Sequence, residues 1–208
     1  MGNDPREFLL TSFNAAIKAA QPSLYLPQFL PASPKGNIVV IGAGKASAAM
    51  AACVEKYYES KILGLVITPY GYRVDCCNIE IVEAGHPIPN SDGYNATSRL
   101  LEILTGVTED DLVLCLLSGG GSSLLTLPVE GLSLEEKRTV NTILLHSGAA
   151  IDEVNIVRKH LSQVKGGRIA ALCGRASLLT LVVSDVVGDD LSVIASGPTV
   201  PDLSTYSD

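Results

Sequence analysis

The sequence predicts an α/β protein with a Rossmann-like, three-layer αβα arrangement around a mainly parallel sheet. Short runs of continuous apolar residues alternate along the chain with longer segments of helical spacing. Continuous apolar runs are typical of strands whose two faces are both covered by helices. The chain has 208 residues, of which 47% are hydrophobic and 18% charged, so it can bury a sizeable core.

Five strands are predicted from the apolar runs. In chain order they span residues 37–44, 62–68, 79–85, 111–118 and 178–186. Helices are predicted at 4–20, 45–59, 93–107, 133–148 and 150–167. The helix at 133–148 opens with a capping box from Ser133 to Glu136, and the last helix ends at two glycines. Residues 1–36 form a lead-in of one helix and a proline-rich connection.

Three loops follow predicted strands and carry glycines or acids. They span residues 42–47, 119–123 and 184–190. In parallel α/β sheets, ligands bind beyond the carboxyl ends of the strands, close to helix N-termini. We therefore expect the functional site where these loops meet.

The balance of charge limits the partners. The chain carries 15 basic and 22 acidic side chains, a formal charge of -7, which disfavours nucleic acid and anionic membranes as partners. The chain has five cysteines but no CxxC pair, and it shows neither a basic-apolar leader nor an apolar run of membrane length. These features predict a cytoplasmic protein with reduced thiols. An anionic substrate would need a local positive site.

The first loop, "GAGKAS", links a strand to a helix. Gly42 and Gly44 are candidates to bind a phosphate or nucleotide there, because a helix N-terminus attracts anions. Lys45 could reach such a ligand. Ser47 stands where the dinucleotide fingerprint has its third small residue, so a simple tight turn is the alternative.

The second loop, "SGGGSS", sets three glycines directly after a buried strand. Such flexible backbone can turn several N–H groups towards one anion, and two serines add hydroxyl donors. The candidates for phosphate or nucleotide binding are Gly119, Gly120, Gly121, Ser122 and Ser123. Neither a Walker spacing nor a GxSxG elbow is present, and a flexible connecting loop is the alternative.

Cationic and acidic candidates lie further along the chain. The segment 155–168 is rich in basic residues and offers a fork and point charges to an anion, unless it is merely a solvated face. Asp185, Asp189 and Asp190 follow the last strand and suit Mg²⁺, or else serve as turn and cap residues. His86 lies between two turns and is equally compatible with a structural or a site role, whereas His160 suits packing or capping.

Five segments, in this order, together resemble the glycerate 2-kinases of the MOFRL class. They are "GAGKAS", "AGHPIPNSDG", "LLSGGGSSLL", the stretch 132–170 and "SDVVGDDLSVIASGPT", so the match runs from about Asn37 to the end of the chain. Members transfer the ATP γ-phosphate to glycerate and produce 2-phosphoglycerate. Their active site lies in a cleft between an N-terminal nucleotide-fold domain and a C-terminal MOFRL domain. The resemblance implies that residues 1–208 are the N-terminal domain and that the chain alone is inactive.

The resemblance also implies roles for individual residues. Lys45 matches the active-site lysine of the family, and residues 119–123 match its glycine-serine loop. Residues that match its basic segment, and are therefore expected to bind substrate, are Asn155, Arg158, Lys159 and Lys165. Asp185 and Asp189 match its acidic motif, where we expect Mg²⁺.

The sequence thus predicts a kinase that uses ATP and Mg²⁺ to phosphorylate D-glycerate. The expected partners are the small acid and a C-terminal domain, with a homodimer left open. The first alternative is an NAD(P)H-dependent hydroxypyruvate reductase, which the glycine turn favours. Thr68, rather than an acid, ends the second strand and argues against it. The second alternative is a module that binds a small anion without turnover.

Overall fold

A five-stranded parallel sheet forms the centre of the protein in the computed structural model, which describes residues 4–58, 61–205 and 207. The strands are β1 (Ile38–Ala43), β2 (Ile62–Pro69), β3 (Ile79–Ala84), β4 (Leu112–Ser118) and β5 (Ser177–Val183). Their order is β3-β2-β1-β4-β5, and every neighbouring pair is parallel. The predicted fold class and all five predicted strands are confirmed.

Eight α-helices are present within the described residues, two of them before β1. They are α1 (Pro5–Ala19), α2 (Pro22–Tyr25), α3 (Ser47–Tyr58), α4 (Ser91–Thr105), α5 (Gly121–Leu124), α6 (Leu134–His146), α7 (Ile151–His160) and α8 (Arg168–Leu172). The predicted capping box at the start of α6 is present. None of these helices is long and apolar enough to cross a membrane.

The core consists of one apolar cluster on each face of the sheet. Because side chains alternate along a strand, neighbouring residues of β1 enter different clusters. Ile41 packs with Leu100 of α4 on one face, and Val40 packs with Met50 of α3 on the other. This gives the three predicted layers and leaves the carboxyl ends of the strands free to carry loops. Helix α1, by contrast, buries none of its side chains.

The predicted helix at 150–167 is wrong in its last third. Helix α7 ends at His160, and the following residues run beside the segment after α5. Ser162 forms a bridge with Pro128, and the Gln163 amide donates to the Leu127 carbonyl at 2.9 Å. These tertiary bonds replace the last helical turns, and the new path carries Lys165 beneath the glycine-serine loop.

Candidate functional site

The three predicted loops meet at the carboxyl edge of the sheet. The amide of Lys45 donates to the Gly119 carbonyl at 2.9 Å, which joins the first loop to the second. Gly119 in turn lies against the carboxylate of Asp185, so that a Cβ at this glycine would collide with it. The loops after β1, β4 and β5 therefore form one surface, as the parallel sheet predicts.

The run of three glycines is explained by what packs against it. Gly120 adopts a φ of +90°, a left-handed conformation, and a Cβ there would lie 3.1 Å from Cε1 of His86. At Gly121 a Cβ would lie 2.9 Å from the carbonyl oxygen of Ala43. The bare backbone thus lets an imidazole and a neighbouring strand approach closely.

Gly42 and Gly44 have a different environment from the one predicted. A Cβ at Gly42 would strike the Leu116 carbonyl, and one at Gly44 would strike the Ser118 hydroxyl. The Ala46 amide, at the start of α3, donates to the same Ser118 Oγ at 3.0 Å. These glycines let β1 and β4 lie close together, while amide groups of this turn bond within the protein. A phosphate-binding role for them stays a prediction.

A cavity of about 210 Å³ lies between the glycine-serine loop and the helices α6 and α7. Its walls combine the loop, the segment after β3 and basic side chains from later in the chain. The lining residues are His86, Pro87, Pro89, Gly120, Ser122, Ser123, Thr126, Lys137, Asn141, Leu145, Arg158 and Lys165. The structure thus joins the predicted phosphate loop and two of the predicted substrate-binding residues in one site.

Three basic side chains line this cavity. Lys137 comes from α6, Arg158 from α7, and Lys165 from the turns after α7. Among the described residues, none of the three forms an ion pair with an aspartate or a glutamate. Buried charges are usually paired, so this arrangement needs an explanation beyond folding.

Neutral oxygens hold the two lysines. Lys165, only 1% exposed, donates to the carbonyls of Ser122 at 2.7 Å and Leu125 at 3.1 Å. Lys137, 6% exposed, donates to the Leu161 carbonyl at 3.0 Å. Each ammonium has three N–H donors, so both keep donors for a ligand.

The guanidinium of Arg158 is also held from one side only. Its Nε donates to Oδ1 of Asn141 at 2.9 Å. Asn141 follows Lys137 by one helical turn of α6, so this helix contributes two neighbouring side chains to the cavity. The outer N–H groups of Arg158 make no hydrogen bond with a described residue and remain available to an anion.

Burial lowers the pKa values of all three basic side chains, and their mutual repulsion adds to the effect at the two lysines. Burial lowers the pKa of Lys165 well below its ordinary value, and the charges of Lys137 and Arg158 lower it further. Burial and then the Arg158 charge lower the pKa of Lys137 to about 8. Burial also lowers the pKa of Arg158. An anion in the cavity would favour the charged form of all three.

Lys159 and Asn155 lie outside the cavity. Lys159 forms an ion pair with Asp202 at 3.4 Å, with both side chains nearly buried. Asn155 is buried and accepts a hydrogen bond from the Ser196 hydroxyl at 3.3 Å, and Ser196 also contacts the Ser122 hydroxyl at 2.8 Å. Asn155 therefore supports the glycine-serine loop from behind, and substrate contact by either residue stays a prediction.

His86 and Ser123 face each other across the mouth of the loop. Nδ1 of His86 lies 2.7 Å from the Ser123 Oγ. Burial lowers the pKa of His86, the Lys45 charge lowers it further, and the Asp185 charge acts in the opposite direction. The Lys45 side chain itself is exposed beside this group. The predicted catalytic lysine is thus near the cavity but outside its lining.

The carboxylate of Asp185 is suitably placed to hold Mg²⁺, and that of Asp189 is less suitable. The Asp185 side chain is exposed next to the glycine loop and forms no hydrogen bond or ion pair with a described residue. Asp189 is exposed on a left-handed turn and does not line the cavity. Asp190 caps the next turn by accepting from the Ser192 amide at 2.8 Å. Mg²⁺ takes one or two carboxylates and completes its shell with phosphates and water, so a single free carboxylate is compatible with it.

Lys137 and Asn141 are site residues that the sequence reasoning missed. The signal available was weak: a lysine and an asparagine four apart on a predicted helix, which share a face. The sequence is equally compatible with a structural or a site role for His86, and in the structure its ring packs on Gly120 and lines the cavity.

A family model described as "Domain of unknown function (DUF4147)" matches residues 8–208. The chain belongs to this family. A "D-glycerate 2-kinase" of Thermotoga maritima is 47% identical over 93% of the chain and 47% of its own length. A "Putative hydroxypyruvate reductase" of Agrobacterium vitis is 48% identical over 98% of the chain and 47% of its own length.

A crystal structure of a glycerate kinase from Thermotoga maritima superposes with a TM-score of 0.86 at 45% identity. The superposition covers 93% of the present chain and 47% of the chain in that crystal structure. The chain therefore spans about half the length of the relatives it matches. The resemblance to glycerate 2-kinases is confirmed at the level of the family.

Proposed function

We propose that this chain forms the acid-binding part of a glycerate 2-kinase, which transfers the γ-phosphate of ATP to D-glycerate and yields 2-phosphoglycerate. The observation that carries the proposal is the cavity between the glycine-serine loop and three basic side chains that have no acidic partner in the described part of the chain. Relatives named as glycerate kinases give the proposal its substrate. Three positive charges match the carboxylate of the acceptor and the phosphate of the product.

The size of the cavity favours the small acid over the nucleotide. At about 210 Å³ it is smaller than the roughly 300 Å³ at which pockets for larger ligands begin. Arg158 offers a fork that suits the carboxylate of glycerate, and Lys137 and Lys165 add point charges. The nucleotide would then approach from the open side, where Lys45 and Asp185 are exposed.

Phosphoryl transfer depends mainly on position and on neutralised charge. Lys45 would offset negative charge on the transferred group, and backbone N–H groups of the glycine-serine loop would hold its oxygens. Asp185, with Asp189 as the less suitable candidate, would hold the Mg²⁺. When bound, this ion neutralises phosphate charge and supports in-line geometry. Each group lies on the strand-end surface on which the three loops meet.

The reductase alternative has less support from the geometry. Thr68, at the end of β2, is fully buried, and its hydroxyl donates to the Gly44 carbonyl at 3.1 Å. A dinucleotide site normally has a free acid there for the ribose. The alternative retains the glycine turn and the name of the relative from Agrobacterium vitis in its favour.

Two parallel assays on the full-length protein separate the candidate functions. One couples ADP formation to D-glycerate and ATP with Mg²⁺, and the other follows NADH oxidation with hydroxypyruvate. We expect turnover in the first and none in the second. Arg158→Gln should lower kcat/KM for glycerate by about two orders of magnitude, because it removes a charged contact. Arg138→Gln, at an exposed arginine of α6, is the matched control and should act like wild type.

Three outcomes contradict the kinase proposal. Hydroxypyruvate reduction without glycerate phosphorylation would favour the reductase. Anion binding with neither activity would favour a binding module. Equal kcat/KM values for Arg158→Gln and wild type would remove the cavity from the reaction. We also expect the 208-residue chain alone to turn over little, since the resemblance implies a cleft shared with a second domain.

A further inference from the structure

His86 combines three features that the proposed phosphate and carboxylate contacts leave unused. It lies just after β3, at the carboxyl edge of the sheet. Its ring packs on Gly120 and lines the cavity that also contains Arg158 and Lys165. It is half-buried, so the ring is held by the protein and yet reaches the ligand space.

The hydrogen bonds of Ser123 favour one tautomer of the His86 ring. The Ser123 hydroxyl donates to the Gly120 carbonyl at 3.1 Å, and it lies 2.7 Å from Nδ1 of His86. A hydroxyl has one hydrogen, so both contacts are hydrogen bonds only if Nδ1 carries the proton and donates to Oγ. Nε2 then has the lone pair, and it makes no hydrogen bond with a described residue.

We propose that His86 is a catalytic residue whose Nε2 removes the proton from the acceptor hydroxyl, while Ser123 positions the ring through Nδ1. The proposal rests on the proposed glycerate phosphorylation and adds the base that this reaction needs. A base must lie within hydrogen-bond reach of the proton it takes, and the cavity is small enough to hold a three-carbon acid against the ring.

The proposed step moves one proton to His86 and one phosphoryl group to the acceptor. The proton of the acceptor hydroxyl moves to Nε2, and the freed electron pair of that oxygen forms a bond to the γ-phosphorus of ATP. The bond between this phosphorus and the β,γ-bridging oxygen breaks, and its electron pair leaves with ADP. His86, now an imidazolium, returns the proton to solvent after the products leave.

The charges around the ring favour a neutral base before the reaction. Lys45 faces the ring from the first loop, and Lys137, Arg158 and Lys165 line the same cavity. Asp185 is the acid that opposes them. Burial and Lys45 lower the pKa of His86 from its ordinary 6.5, so the ring is unprotonated at neutral pH.

His86→Asn in the full-length protein tests the assignment. The asparagine amide can still donate to Ser123 in place of Nδ1, but it has no basic nitrogen. We expect kcat to fall by about 10²- to 10⁴-fold, with the calorimetric Kd for D-glycerate changed less than about threefold. The acid limb of the pH profile of kcat should disappear. His146→Asn, at an exposed histidine of α6, is the matched control and should retain wild-type kcat.

Ser123→Ala separates positioning from proton transfer. It leaves Nε2 in place but frees the ring, so kcat should fall by about tenfold and the acid limb should move rather than vanish. If His86→Asn does not fold, the wild-type profile decides, because a profile without an acid limb contradicts a histidine base.

The possible failures can be told apart. An inactive wild-type enzyme with D-glycerate and ATP removes the proposed function together with this assignment. An active wild type, with His86→Asn equal to it in kcat, removes only the assignment. Parallel losses in kcat and in glycerate affinity would make His86 a structural residue, and that result also overturns the proposal.

Discussion

Binding of sulfate in the cavity should draw a proton onto Lys137. Burial and the Arg158 charge lower the pKa of Lys137 to about 8, so that at pH 8 about half of the molecules carry a neutral amine there. A bound dianion favours the ammonium form. We therefore expect sulfate binding at pH 8 to take up about half a proton at Lys137, with further uptake at Lys165, whose pKa is also lowered.

Titration calorimetry in two buffers of different ionisation enthalpy measures this uptake. Sulfate suits the test because it remains a dianion throughout the pH range and contributes no proton itself. Lys137→Met keeps the size of the side chain and removes its charge, so uptake should fall by about half a proton. Lys56→Met, at an exposed lysine of α3, is the control and should behave as wild type. Equal uptake by Lys137→Met and wild type would refute the reasoning.

The same shift predicts how stability depends on pH. Between about pH 8 and 10.5 the unfolded chain binds more protons at Lys137 than the folded chain, because the folded pKa is the lower one. Lys137 should therefore add up to about 3 kcal/mol to the free energy of unfolding as the pH rises across this window. Burial raises the pKa of the Cys115 and Cys173 thiols, which acts in the opposite direction in any variant that keeps them, so the test is the difference between wild type and Lys137→Met in urea titrations at both ends of the window. Equal pH dependence in the two proteins contradicts the assignment.

Substitutions at the glycine loop, the lysine and the two carboxylates test the remaining groups of the site. Gly120→Val should abolish sulfate binding without unfolding the protein, because a Cβ there meets the His86 ring. The control is Gly71→Val, at a φ of +82° with open space around it, which should lower stability but leave sulfate binding intact. Equal sulfate affinities of the two variants would show that the loop is only a connector. Lys45→Ala should lower kcat about a hundredfold and Lys45→Arg should recover little, and full activity of the alanine variant removes this lysine from the mechanism. Asp185→Asn should raise the Mg²⁺ concentration needed for half-maximal rate more than Asp189→Asn does, and two unchanged Mg²⁺ titrations would rule out both carboxylates.

The elements that local sequence determines were predictable. Continuous apolar runs gave the five strands, and the capping box at Ser133 gave the start of α6 within one residue. The meeting of the three loops also follows from the sequence, because the carboxyl ends of parallel strands share one edge. These features depend on periodicity and on backbone chemistry, which each segment carries by itself.

Features that depend on contacts between distant segments were not predictable. The helical spacing of 150–167 continues through Lys165, yet α7 stops at His160 because Ser162 and the following amide pair with 127–128. Likewise, Arg158 and Lys159 are adjacent in sequence, but one turns to the cavity and the other to Asp202. No pattern within the basic segment distinguishes them, since the distinction comes from partners about 17 and 43 residues away.

The glycine-serine loop brings together groups that destabilise the empty site and groups that can bind a ligand. Its missing side chains leave room for the His86 ring and the Asp185 carboxylate, which come from two other strand ends. Beneath it, the buried amine of Lys165 donates to two loop carbonyls and so supports the shape of the loop. Two more basic side chains face that lysine, and no acid among the described residues pairs with them, which disfavours their charged forms in the empty site. An anionic ligand in the cavity would reverse this penalty, because it supplies the negative charge that no described acid provides there.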